Sequence, residues 1–168
     1  MLSYPPLPAV TSTEAAVTGL IRSYCGWHVA PVVNEIRKFD YDGSGRLFIP
    51  TLNLVDVQRV SVAGNDLYDW SFSADGWLTF SQSSTPPAGD RVVTVEFKHG
   101  FAHAPELSLV LDRVKARLAA LPAAPLSYQR AGSQAVGYLS RNGDVLGFSL
   151  SDSEKAALDR YRLGVAPL

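Results

Sequence analysis

Cysteine is nearly missing from this chain, with a single residue, Cys25, among 168. One thiol excludes an internal disulfide, so a packed core must hold the fold, and it fits a reducing compartment. Long apolar runs are missing as well. Nothing approaches the roughly 20 consecutive apolar residues that cross a bilayer as a helix, so no membrane partner is expected. The opening MLSYPPLPAV has neither the basic n-region nor the apolar h-region of a secretory signal. A cytoplasmic product is the expectation. Charge of one sign is not in excess: the net charge is -1, which gives no electrostatic reason for tight binding to nucleic acid or an anionic membrane. Internal repeats, a Walker loop and a dinucleotide fingerprint are absent. A G-x-S-x-G elbow is absent too, because Gly43-Ser44-Gly45 has the wrong spacing. The acidic residues are scattered, with no pair that the sequence itself places together. No enzyme is visible, and no catalytic residue is named.

What the chain does have is a hydrophobic share of 46%, enough for a buried core and against disorder as the default. The length suits one domain, or one domain with an appendage. The organising stretch is PELSLVLDRVKARLAAL at residues 105–121. Leu107, Val110, Leu111, Val114, Leu118 and Leu121 recur at three- and four-residue steps and form one helical stripe, while Asp112, Arg113, Lys115 and Arg117 lie off it. Pro105 suits the first turn, Glu106 complements the positive end of the helix dipole, and Pro122 stops the helix.

Ahead of that helix the texture is mostly that of strands. Pro5, Pro6 and Pro8 make residues 1–11 an extended lead-in. A first helix is expected over about 13–25, capped by Thr11, Ser12 or Thr13 and ended by Gly26. Its Gly19 weakens it by about 1 kcal/mol relative to Ala. From residue 32 to 98 the period becomes two. Strands are expected at 32–39 and 46–49 around the DYDGSG turn, and at 54–62, where the alternation slips at Gln58-Arg59 and a bulge would repair it. Residues 68–72 and 77–80 pair as a hairpin, 81–90 form a polar loop, and 92–97 make a further strand. After Pro122, residues 123–134 read as a linker. Asn142-Gly143 marks a hairpin between strands at 135–139 and 145–150, and Ser151 or Ser153 caps a short closing helix. The expected architecture is α+β, with amphipathic helices packed together and with an antiparallel β unit. It divides into a core over 1–122 and a C-terminal arm of hairpin and helix over 123–168.

Each chemical constellation has a plainer reading beside it. Asp40, Asp42, Ser44 and Gly45 match the front of a calcium loop, but the closing position falls at Thr51 beside Pro50, and strands flank it. An Asp/Gly-rich hairpin turn accounts for the same letters. Cys25, His28, His99 and His103 have spacings compatible with zinc pairs, yet they sit on two distant segments without a second Cys. No metal or cofactor is expected. Trp70 and Trp77, with Tyr68, Phe72 and Phe80, could present a stacking face for a glycan, or close a hairpin core.

The order of parts carries a resemblance. IRSYCGWHVAP (21–31), RLFIPTLNLVDVQRVSVAGNDL (46–67), WSFSADGWL (70–78), VVTVEFKHGF (92–101), PELSLVLDRVKARLA (105–119) and the closing SEKAALDRYRL (153–163) follow one another along nearly the whole chain. In this order they resemble the head-to-tail adaptors of long-tailed bacteriophages infecting actinobacteria, within the wider head–tail connector family. The resemblance implies a structural virion protein at the head–tail interface, assembled in the host cytoplasm. Identical subunits, usually twelve in that family, would form a ring below the portal. The ring would extend the channel through which double-stranded DNA passes without specific binding, and would receive a stopper or tail-completion protein. On this reading the arm docks on a portal or neighbouring subunit through Val136, Tyr138, Leu146, Phe148, Leu158 and Tyr161. Two other classes stand beside it: a β-rich ligand- or glycan-binding module using the Trp70/Trp77 face, and an accessory subunit of a cellular complex.

Overall fold

A computed structural model describes residues 12–120, 128–131, 134–137, 140–141, 144–145 and 149–164. The lead-in before residue 12 and the side chains of residues 121–148 lie outside the described part. The fold is α+β, as the alternation of periods implies: helices together with antiparallel sheets. Its contacts divide the chain into two compact units, Met1–Tyr24 with Pro105–Arg160, and Cys25–Ala104 with Tyr161–Leu168.

The first unit holds most of helix α1 (Thr13–Cys25), α2 (Pro105–Ala119) and α3 (Asp152–Leu158). On α2 the expected stripe is graded. Val110 and Val114 are buried and Leu107, Leu111 and Leu118 half-buried, while Leu121 falls outside the described residues. Lys115 on α2 reaches Glu14 on α1 at 3.3 Å. Arg117 grips α3: its guanidinium meets Glu154 in two contacts of 2.8 and 3.1 Å and donates to the Ser149 carbonyl at 2.9 Å. Ser151 caps α3, accepting from the Glu154 N–H while Glu154 accepts from the Ser151 N–H, a reciprocal capping box.

Residues 123–134 are not wholly a linker. Strand β8 (Tyr128–Ala131) pairs with β9 (Gln134–Gly137). The Gly132-Ser133 between them in sequence is turn chemistry that also passes for linker composition. On either side of Asn142-Gly143 in sequence, β10 (Ser140–Arg141) pairs with β11 (Asp144–Val145), a shorter hairpin than expected, because β9, which covers most of the expected first strand, pairs with β8.

The second unit is a pair of antiparallel sheets. One has the order β1-β7-β3-β4, from β1 (Val33–Tyr41), β7 (Gly89–His99), β3 (Leu54–Val62) and β4 (Asn65–Leu67). The other has the order β2-β6-β5, from β2 (Arg46–Phe48), β6 (Trp77–Phe80) and β5 (Trp70–Phe72). Alternation sends Val93, Val95 and Phe97 of β7 inward, where they join Phe39, Val57, Val60, Leu47, Leu78 and Phe80 in one core. Tyr41 of the first sheet meets Phe80 of the second edge to face, with centroids 5.4 Å apart. The slip at Gln58 is a register shift between Val57 and Arg59. The extra residue keeps both Val57 and Val60 on the core side, where strict alternation would have turned one of them out.

Candidate functional site

The longest open strand edge among the described residues of the second unit is at the rim of its larger sheet. β7 is paired on both sides, by β1 and β3, whereas β1 pairs with β7 alone among the described strands. β1 is nine residues long, VNEIRKFDY, and its outer row of backbone groups is unpaired in the sheet. Val33, Glu35, Arg37 and Phe39 lie across from His99, Phe97, Val95 and Val93, so their side chains take the core-facing side. Asn34, Ile36 and Lys38 take the opposite face. Ile36 is 67% exposed there. An open groove of about 610 Å3 runs beside the strand, lined by Ile36, Arg37, Lys38, Phe39, Asp40, Arg91 and Thr94. At the far end β1 shifts register between Phe39 and Tyr41, and the Asp40 carboxylate accepts the Arg91 N–H at 2.7 Å, which pins a residue with φ +53. The Arg37 guanidinium lies over the Phe39 ring, 5.4 Å from its centroid.

At the opposite end of β7, His99 is 3% exposed. Phe97, Trp27 and His28 surround it with ring centroids 4.9, 6.1 and 5.7 Å away. Its Nε2 lies 3.2 Å from a Glu35 carboxylate oxygen, within ion-pair range but misaligned for a hydrogen bond. Burial pushes the imidazole below its ordinary value, Glu35 opposes that, and His28 adds to it. Val29, fully buried at φ +66, is a rare left-handed β-branched residue, and its carbonyl accepts the Phe101 N–H at 2.8 Å. Enclosed by aromatic rings, His99 has the surroundings of a packed core. The residues whose spacing is compatible with zinc pairs do not converge. His28 and His99 approach, Cys25 is buried and His103 exposed, and among the described residues no group of three His, Cys, Asp or Glu side chains is placed to hold a metal ion.

The calcium-like letters form a turn that uses its own oxygens. Asp42 accepts the Ser44 N–H at 2.9 Å, Ser44 donates its hydroxyl to the Arg46 carbonyl at 3.1 Å, and the Tyr41 hydroxyl accepts the Gly45 N–H at 2.7 Å. The bonds from Ser44 hold the Asp42 carboxyl below its usual value.

The aromatic face needs correction. Trp70 stands opposite Phe80 and Phe72 opposite Leu78, so these four share the side that bears the core. Trp77 stands opposite Phe48 and takes the other side, with the Arg46 guanidinium over it at 4.9 Å and the Phe48 centroid at 5.0 Å. Trp70 and Trp77 therefore lie on opposite faces of the hairpin and form no common platform. Tyr68 stands apart, 84% exposed.

Of the six expected assembly residues, Leu158 and Tyr161 are buried by the chain itself, at 0% and 4% exposure. Tyr161 packs edge to face on Phe101 and its carbonyl accepts the Trp27 indole N–H at 2.7 Å. The side chains of Val136, Tyr138, Leu146 and Phe148 lie outside the described residues. The β1 edge was not named from the sequence. A signal existed in the apolar Ile36 on the polar side of an alternating strand, but nothing in the letters says which strand lacks a neighbour.

Compared with known proteins, the chain matches no family model and no curated protein.

Proposed function

We propose that this chain is a structural subunit that works joined to other chains, and specifically a head-to-tail adaptor of a long-tailed bacteriophage. In this role it forms a ring of like subunits below the portal, extends the DNA channel and receives a stopper or tail-completion protein. The observation that carries the reading is the open edge of β1. Monomeric sheets protect their rims with short strands, bulges or charge. Here Glu35, Arg37, Lys38 and Asp40 supply charge and the register shift between Phe39 and Tyr41 disturbs one end, but a nine-residue strand with Ile36 exposed near its middle remains a surface suited to being covered. The order of sequence segments along nearly the whole chain supports the choice of assembly. A net charge of -1 suits a conduit, since a strongly basic lumen would hold DNA by its phosphates.

The test is to add purified protein to DNA-filled capsids that carry a portal but lack this subunit, and to image the vertex by electron microscopy. The expected result is a ring of added density at the portal and recovery of tail joining. Failure to bind portal-bearing capsids, together with retention on a glycan array, would overturn the assignment in favour of a ligand-binding module.

A further inference from the structure

We propose that in the free protein the β1 edge is covered by β1 of a second copy, as an antiparallel two-fold pair centred on Ile36. The inference rests on reading β1 as an edge that works covered, and not on where in a virion the subunit sits.

Register selects this pairing. Extending the sheet across a two-fold axis must keep both cores on the same side, because a slip of one residue turns every side chain to the other face. Only registers centred on a residue satisfy this. Centring on Ile36 sets Ile36 against its own copy on the exposed face. On the core side it sets Glu35 against Arg37 and Val33 against Phe39, with Asn34 against Lys38 outside. The apolar exposed residue meets an apolar one, and each acid meets a base. Centring on Arg37 or Lys38, the other registers long enough to pair as much of the strand, sets a cation against its own copy, which opposes pairing.

A two-fold contact uses the same patch on both partners and closes at two. Such a dimer cannot propagate into a ring through β1. It keeps the edge from pairing indiscriminately until another contact replaces it.

The test uses the full chain with one added cysteine. Opposed residues in an antiparallel pair have Cα atoms about 4.5–5.5 Å apart, within disulfide range. Cys25 is buried, which leaves the added thiol as the reactive one. Under mild oxidation Ile36→Cys is expected to give a covalent dimer on a non-reducing gel, and Lys38→Cys, which faces Asn34, is not. By sedimentation velocity the unmodified protein is expected to be a dimer. Arg37→Glu, which sets two acids against each other on both sides of the axis, should weaken it roughly ten-fold. The exchange Glu35→Arg with Arg37→Glu should restore it, with circular dichroism confirming that each variant is folded. A monomer at every concentration, crosslinking by Lys38→Cys as readily as by Ile36→Cys, or a folded exchange variant no tighter than Arg37→Glu would overturn the proposal. A monomer that still forms rings at the portal refutes the dimer and leaves the adaptor assignment standing. A dimer that never binds portal does the reverse.

Discussion

Replacing Arg117 with Met removes the counter-charge of Glu154, the one buried carboxylate among the described residues, at 4% exposure. Met keeps much of the stem that packs along α2, so the change is chiefly electrostatic. Burial alone would raise the Glu154 carboxyl, but hydrogen bonds from Arg117 and Ser151 outweigh it and the net direction is down. Without Arg117 the carboxylate keeps its Ser151 partner and loses two charge-assisted bonds. Breaking a buried pair costs about 3–5 kcal/mol. Because the Arg117 side chain is itself 29% exposed, the lower end, about 3 kcal/mol, applies. At about 2–4 °C per kcal/mol for a chain of this size, melting should fall by roughly 6–12 °C.

Two comparisons isolate the cause. Glu154→Gln keeps a side-chain acceptor for the Ser151 N–H and leaves a guanidinium that water can reach, so it should cost only about 1–2 kcal/mol. Arg117→Met with Glu154→Met removes both charges and should recover most of the loss, apart from about 1 kcal/mol for the cap. The sign with pH is also fixed. A carboxyl lowered in the folded state adds stability above its unfolded value of about 4.3, and that stability is lost as the pH falls through the lower folded value. The gap between wild type and Arg117→Met should therefore narrow as the solution is acidified. The assay is thermal melting followed by circular dichroism at several pH values. A loss below about 1 kcal/mol for Arg117→Met, or a larger one for Glu154→Gln, would refute the reasoning.

Val114→Asp should unfold the helical unit, at a cost above about 4 kcal/mol, because it buries an unpaired charge, whereas Leu109→Asp should stay within about 0.5 kcal/mol; chemical denaturation compares them on one helix, where Val114 on the stripe is 0% and Leu109 off it 59% exposed. Gly76→Ala should cost more than about 3 kcal/mol, since at φ +86 a Cβ would press on the Ile49 and Thr51 carbonyls, while Gly45→Ala, at φ +84 with open space around it, should lose only the left-handed penalty; melting temperatures check the pair. His99 favours its neutral form when folded, so its stabilising contribution is full above about pH 6.5 and declines as the pH drops below that value, levelling off at the lower folded value. His99→Phe should flatten that decline in melts between neutral and mildly acidic pH, a decline set chiefly by burial of the imidazole, with Glu35 opposing and His28 and Arg37 adding to it.

Local order was legible in the sequence wherever one period dominated. The helices α1 and α2, the β5–β6 hairpin and the bulge at Gln58 all follow from which residues must point the same way, and that is a property of neighbours in sequence. Faces and rims depend on partners far along the chain. Trp70 and Trp77 flank one turn, but the pairing of Trp70 with Phe80 assigns them to opposite faces, and two aromatic letters seven positions apart cannot report that register. Leu158 and Tyr161 look like anchors waiting for another protein because the stretch before them is poor in large apolar side chains. Arg117, off the apolar stripe and read as a surface base, instead holds α3 to α2 through Glu154. That contact links residues 37 apart, and its only local trace is the Ser-x-x-Glu spacing of the cap. β1 carries the same limit furthest. Its alternation predicts a strand but not the number of its neighbours, so Ile36 reads from sequence alone as one more apolar position. Only with β7 on one side and no other described strand on the other does that isoleucine become a reason to look for a second chain.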